Sequence, residues 1–286
     1  MLVAWRYRDR GSIIQSFDPR AWVIFYLCFI VTTLFFWDLR YLAVLFVIAG
    51  SSVLASRLSW KDTRRTWLFM GGFIIFFSLL TFLTGRGGVE VYSQEHMLAD
   101  LRAPFQLFGW RPALTISAER LFFALSILAR VFSLAAMTVL IPYTLPPDKY
   151  GVTFRGLGLP DKFAYGMDLT MRFIPTFGRD FSQTLDAQKA RGYELEKLSG
   201  GIVSQVRKLA PIVVPVTIRA LMSSEDIIDA MDLRAFATGP RTWVAELRYR
   251  RRDYALIAFG ALLMLVGFSL SLFGFGKFWV PAALIG

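Results

Sequence analysis

Five times along this chain, sixteen or more residues pass with at most one charged side chain. The stretches are Ala21 to Trp37, Tyr41 to Ser56, Thr66 to Gly85, Leu121 to Pro142 and Tyr254 to Gly276, and only Arg130 interrupts any of them. A helix of about 17 to 25 apolar residues crosses the hydrocarbon of a bilayer. The composition agrees, with 55% hydrophobic residues, 16% aromatic ones and 19% charged, against about a quarter charged in a soluble domain. The 27 Phe and eight Trp would over-fill a soluble core. The expected fold is therefore an all-α polytopic membrane protein with about five transmembrane helices. A soluble enzyme, a disordered chain and a fibre are excluded. Only Asp38-Leu39-Arg40 separates the first two stretches, so these are expected to form a hairpin.

Orientation follows from the basic residues, because loops on the cytoplasmic side accumulate Lys and Arg. The net charge is +11. Residues 1–20 hold Arg6, Arg8, Arg10 and Arg20, and the 57–65 loop holds Arg57, Lys61, Arg64 and Arg65. Residues 143–253 contain 17 Lys and Arg, ending in Arg248, Arg250, Arg251 and Arg252. The 86–117 segment has three arginines offset by Glu90, Glu95 and Asp100. The expectation is a prokaryotic plasma (inner) membrane protein with its N-terminus and residues 143–253 in the cytoplasm and its C-terminus outside. Basic charge set between apolar spans answers to the membrane, and no nucleic-acid partner is expected. The first twenty residues are too polar for a signal-peptide core.

This divides the chain into residues 1–142, with four spans and the external segment 86–117, then a segment over 143–253, then a last transmembrane helix within 254–286. The external segment clusters Phe105, Phe108 and Trp110, which suits a stretch resting on lipid headgroups. The middle segment is too long for a structureless loop. Its patterning predicts a helix from Asp161 to about Ala190 and a second from Ile202 to about Ala237, the latter kinked by Pro211 and Pro215.

Within that segment the sequence repeats. Asp186-Ala187-Gln188-Lys189-Ala190-Arg191-Gly192-Tyr193 aligns without a gap to Asp229-Ala230-Met231-Asp232-Leu233-Arg234-Ala235-Phe236. Asp, Ala and Arg coincide, and Tyr193 pairs with Phe236. Each copy sets one arginine at a helix C-terminus, where the dipole favours a cation. A guanidinium also offers five donors in a rigid fork. Either arginine alone reads as an ordinary cap; the repetition of eight positions argues for two equivalent sockets on a pair of related subunits.

These residues carry a resemblance. The segment is similar to the transmembrane T component of energy-coupling factor (ECF) transporters, the EcfT/CbiQ family, over about residues 161–240. Ala190-Arg191-Gly192 matches the family's Ala-Arg-Gly motif, and Met171-Arg172-Phe173-Ile174-Pro175 resembles the stretch that precedes it. The second motif survives in Ala230 to Phe236, with Leu233 in place of Ala and Ala235 in place of Gly. The resemblance implies cytoplasmic coupling helices between the fourth and fifth spans. It implies two ABC ATPase subunits, identical or heterodimeric, as partners, and a small membrane S component that binds a vitamin or a transition-metal ion. Arg191 and Arg234 would each enter a groove on one ATPase. Ala190, Gly192, Leu233 and Ala235 would shape the two helix ends, with Arg172, Pro175, Asp186, Tyr193, Asp229 and Phe236 supporting them.

No catalytic residue, cofactor or metal site is expected in the chain itself. It has no Gly-x-x-x-x-Gly-Lys-Ser/Thr phosphate loop; Gly274-Phe275-Gly276-Lys277 lacks both the spacing and the hydroxyl. The one Cys, Cys28, and the one His, His96, form no ligand cluster. Two other readings stay open. A self-contained permease would use polar groups at mid-membrane, for which Arg130 is the sole candidate, though an arginine held by a carbonyl between helices is the plainer reading. A lipid-modifying enzyme would need acidic or histidine motifs at the boundary, where Asp161 and Asp168 are too few. Small residues at Gly71-Gly72, Gly260, Ala261 and Gly267 would permit close helix packing or form a surface on which a mobile partner slides.

Overall fold

A computed structural model describes residues 7–84, 97–102, 113–193, 202–236, 238–239 and 247–280. The chain forms two compact units, one of residues 7–145 with 248–286 and one built on 146–247.

The first unit contains α1 (Pro19–Phe35), α2 (Leu39–Ala55), α3 (Trp60–Thr84), α4 (Ala118–Thr144) and α8 (Arg251–Leu272). Three of these, α3, α4 and α8, are long and apolar enough to cross a membrane, while α1 and α2 are apolar helices of 17 residues. The protein is thus a multi-pass helical membrane protein. Polar residues set where the helices begin. Asp18, Asp38 and Ser117 each accept a hydrogen bond from the backbone N–H two or three residues on, satisfying an orphan donor of the first turn. Pro19 at the first helical position of α1 removes another such donor.

The expected hairpin of α1 and α2 takes a different form. The two helices follow each other directly, yet α1 packs along α8 and α2 packs along α4. Glycine explains this choice of partner. A Cβ on Gly260 would lie 3.3 Å from the Cα of Phe25, and one on Gly267 would lie 2.9 Å from Thr32 Cγ2. The two glycines let α8 approach α1 more closely than any side-chain-bearing pair would allow, and that contact claims the small residues. Gly71 and Gly72, by contrast, face open space.

Cross-contacts give the directions. Asp18 pairs with Asp253, Phe25 with Phe259 and Phe35 with Phe268, so α1 and α8 run parallel. Tyr26 meets Thr138 and Phe36, just past α1, meets Arg130, so α1 and α4 are antiparallel, as are α3 and α4 through Ser78–Ala124 and Thr66–Tyr143. The helices alternate in direction, and one end of the unit gathers the starts of α1, α3 and α8. There Arg10 and Arg8 pair with Asp62 at 2.6 and 3.4 Å, Arg20 lies 4.0 Å over the Tyr249 ring, and Arg252 donates to the Ser16 carbonyl. The buried Asp253 carboxylate accepts from the backbone N–H groups of Asp18 and Arg250. At the opposite end, β1 (Met97–Arg102) and β2 (Ala113–Ser117) pair antiparallel, an addition to the all-α fold that the sequence reading did not contain. Phe105, Phe108 and Trp110, proposed as the interfacial aromatics, lie outside the described residues.

The second unit contains α5 (Tyr150–Gly156), α6 (Asp161–Ala190) and α7 (Ile202–Leu233). Helix α5 docks on α6 where Asp168 Oδ1 accepts from the N–H of Gly151 at 2.9 Å. Only glycine fits at that point, since a Cβ would sit 2.3 Å from this oxygen and 2.4 Å from the Ala164 carbonyl. Pro175 lies inside α6, and Pro211 and Pro215 lie inside α7; both helices continue through them. The two helices are antiparallel. Gln188 donates to the Pro211 carbonyl at 3.0 Å, Arg219 meets Gln183 and Asp180, and Tyr165 touches Met231 and Phe236.

Candidate functional site

The two repeat copies fold into the same local structure. At the end of α6, the N–H of Tyr193 donates to the Gln188 carbonyl at 3.0 Å and that of Gly192 to the Lys189 carbonyl at 2.9 Å. At the end of α7, the N–H of Phe236 donates to Met231 at 2.9 Å and that of Ala235 to Asp232 at 2.9 Å. Both pairs form the Schellman motif, which closes a helix with one residue in the left-handed region. Those residues are Gly192, at φ +83°, and Ala235, at φ +51°. Position for position, the copies superpose in hydrogen bonding, and the replacement of Gly by Ala has not changed the turn.

The cap fixes the arginines. Arg191 and Arg234 are the last residues before the left-handed turn in their copies, and both are exposed. Neither guanidinium has a hydrogen-bond or ion-pair partner among the described residues. Their final carbonyls are already occupied by the cap, so the side chains are not required to close the helix. Asp186 and Asp229 are exposed in equivalent places, five residues upstream. Tyr193 and Phe236 are half-buried just beyond the turns, and Phe236 packs on Tyr165 with ring centroids 4.7 Å apart. Ala190 is exposed, and its counterpart Leu233 is 90% exposed.

The antiparallel pairing keeps the two arginines apart. Arg234 lies beside the start of α6 and Arg191 at its end, about 40 Å away along the helix at 1.5 Å per residue. Arg172 and Pro175 fall in the middle of α6 and reach neither end. Arg172 is exposed and its charge favours the ionised form of Asp168, although burial dominates and raises the pKa of that carboxyl. Tyr165 is the member that sequence reading missed, because its partners Met231 and Phe236 are 66 and 71 positions away; only the aromatic at the end of the repeat hinted at a neighbour.

Arg130, the candidate for a solute path, is committed elsewhere. Its Nη2 donates to the Phe36 carbonyl, and its guanidinium lies 3.9 Å over the Trp37 ring. It ties α4 to the α1–α2 connection, which matches the plainer of the two readings. An apolar cleft of about 290 Å³ opens between α3 and α4, lined by Ile75, Leu79, Phe82, Leu121 and Leu125. Its one hydroxyl, Ser78, donates to the Ala124 carbonyl at 3.0 Å.

The chain is thus a helical multi-pass membrane protein whose second unit carries two matched arginine-bearing helix ends. Residues 11–243 match the family described as cobalt transport protein, CbiQ, and the chain belongs to that family. It is 28% identical over 269 residues to the energy-coupling factor transporter transmembrane protein EcfT of Lactococcus lactis, covering 88% of this chain and 91% of that one. The EcfT protein of Clostridium kluyveri is 28% identical over 274 residues, with 93% and 94% covered. That of Thermotoga maritima is 25% identical over 291 residues, with 96% and 94% covered.

Proposed function

We propose that the chain is the transmembrane coupling subunit of an ECF-type importer in a prokaryotic plasma membrane. Two ABC ATPase subunits bind it through Arg191 and Arg234, and a small S component in the membrane carries the vitamin or metal ion. ATP-driven closing of the ATPases pulls on α6 and α7, and the motion passes to the S component. Residues 143–253 and the N-terminus face the cytoplasm, where the basic residues at one end of the membrane helices meet anionic lipid. The C-terminus lies outside, and ATP hydrolysis belongs to the partners.

The observation that carries this reading is the pair of identical Schellman ends, each displaying one exposed arginine that has no partner among the described residues. A capping role would have used the guanidiniums on the helix itself. The exposed apolar residues of α7, among them Val214, Ile218, Leu221, Met222 and Ile228, support a second, apolar partner along the same helix. The test is co-purification. Arg191→Ala combined with Arg234→Ala is expected to reach the membrane at normal yield and to lose the ATPase chains. Recovery of those chains at wild-type yield contradicts the proposal.

A further inference from the structure

Arg130 carries a charge that its neighbours do not balance. Its contacts are the Phe36 carbonyl and the Trp37 ring, and neither supplies a counter-charge. Its buried Nε has no hydrogen-bond partner, and no carboxylate pairs with it among the described residues. The adjoining Asp38 carboxylate is fully buried and already accepts from the backbone N–H, Nε and Nη2 of Arg40. Glu119 is buried on α4 about 16 Å away along the axis. An uncompensated cation in a membrane helix is costly, so it points to a ligand.

Its depth says what kind. In the sequence, Arg130 falls well inside the uncharged stretch that begins at Leu121. In the structure it is level with the turn between α1 and α2, because Phe36 meets it. The end of α8 is at the same level, since the N–H of Trp37 donates to the Gly276 carbonyl at 2.9 Å. Three helices therefore have an end here, while α4 runs on about 18 Å to Ala118. Exposed Trp37 and Trp279 flank the turn, and Arg40 lies 3.9 Å over the Trp279 ring. Tryptophans beside cations mark the headgroup layer and not the hydrocarbon. Lys277, next to Gly276, is exposed and has no partner among the described residues. Asp38 and Arg40 cancel, so Arg130 and Lys277 leave this corner at a net charge of +2. Leu27, Val31 and Leu34 form an exposed apolar stripe on α1 leading away from it.

We infer that this corner, at the end of the membrane unit opposite its cluster of basic residues, binds the phosphodiester group of an anionic phospholipid. Arg130 donates to a phosphate oxygen, which its planar fork suits. Lys277 adds attraction, and the acyl chains lie along the apolar stripe of α1. The bound anion lets α4 keep a cation against the Phe36 carbonyl without a carboxylate of its own. The inference is independent of the coupling role proposed above.

The test uses the full chain, stripped of lipid by detergent exchange, titrated with phosphatidylglycerol and followed by native mass spectrometry. In Arg130→Gln the amide can still donate to the Phe36 carbonyl, but the charge is gone. That variant is expected to hold one phosphatidylglycerol fewer than the wild type at saturation, and Arg130→Lys to regain it. Equal lipid counts in the wild type and Arg130→Gln overturn the inference. Diacylglycerol with the same chains, which lacks the phosphate, is expected to leave the site empty; if it fills the site, the headgroup assignment fails. Inorganic phosphate is the other source of this chemistry, and its displacing the Arg130-dependent lipid would overturn the assignment to a phospholipid. A further arm needs no substitution. Phosphatidylglycerol with a photo-activated diazirine on its headgroup, added at one per chain, is expected to label wild-type peptides containing Trp37 or Trp279. Labelling confined to the basic end contradicts the proposal.

Discussion

Ala235 is the residue at which the sequence motif and the backbone disagree. The turn it occupies is the one Gly192 forms, and an L-residue there costs about 1–2 kcal/mol. Ala235→Gly relieves that strain but adds about 0.4–1 kcal/mol of unfolded-chain entropy. The net expectation is a gain of about 0.5–1 kcal/mol in the stability of the α6–α7 pair, read as slower hydrogen exchange at the end of α7. A loss of protection would mean that the left-handed turn is not the resting state. The arginines were legible in the sequence because the repeat aligned them without a gap. The left-handed alanine was not, since alanine in sequence says nothing about the sign of φ and ordinarily argues for a continuing helix. This is why the sequence carried the second helix to about Ala237 while the structure ends it at Leu233.

The helices themselves show what periodicity can and cannot deliver. Uncharged length located α1, α2, α4 and α8 within four residues at each end, and missed the start of α3 by six because its first turns carry Lys61, Asp62, Arg64 and Arg65. It could not say which helix packs on which, and short separation in the chain suggested α1 with α2. The deciding signal was the spacing of Gly260 and Gly267, whose meaning depends on Phe25 and Thr32 being opposite them. Between helices in lipid, close packing rather than exclusion of water selects the partner. Gly267→Leu is therefore expected to lower the melting temperature in detergent, whereas Gly71→Leu, which points into open space, leaves it unchanged. Equal effects of the two would remove the packing argument.

In the second unit, a carboxylate of α6 accepts from the first turn of α5. Burial raises the pKa of Asp168, opposed by the Gly151 N–H and Arg172. A carboxyl whose folded pKa is raised favours the fold in its protonated form. That contribution is complete below the unfolded value near 3.9 and is lost as pH rises through the folded value. Asp168→Asn keeps an oxygen acceptor for Gly151 and removes the charge. The variant is expected to gain stability relative to the wild type at pH 7, with the difference shrinking towards pH 4. A difference that grows on acidification contradicts this account of the contact.

At the scale of the whole molecule, the membrane helices and the 146–247 unit divide the work. The first unit spends polar groups on its own joints: the buried Asp253 on two helix starts, and the half-buried Arg130 and Asp62 on the Phe36 carbonyl and on Arg8 and Arg10. The second leaves its conspicuous charges outward at the two helix ends. The coupling role proposed for the chain has this second unit transmit force, and membership of the CbiQ family sets the chain in transport. The most direct measurement is affinity purification of the intact chain from native membranes in mild detergent, with partners identified by mass spectrometry. The account predicts ATPase chains bearing the phosphate loop, together with a small hydrophobic membrane protein. A chain that purifies alone and moves a solute in liposomes without them would contradict it.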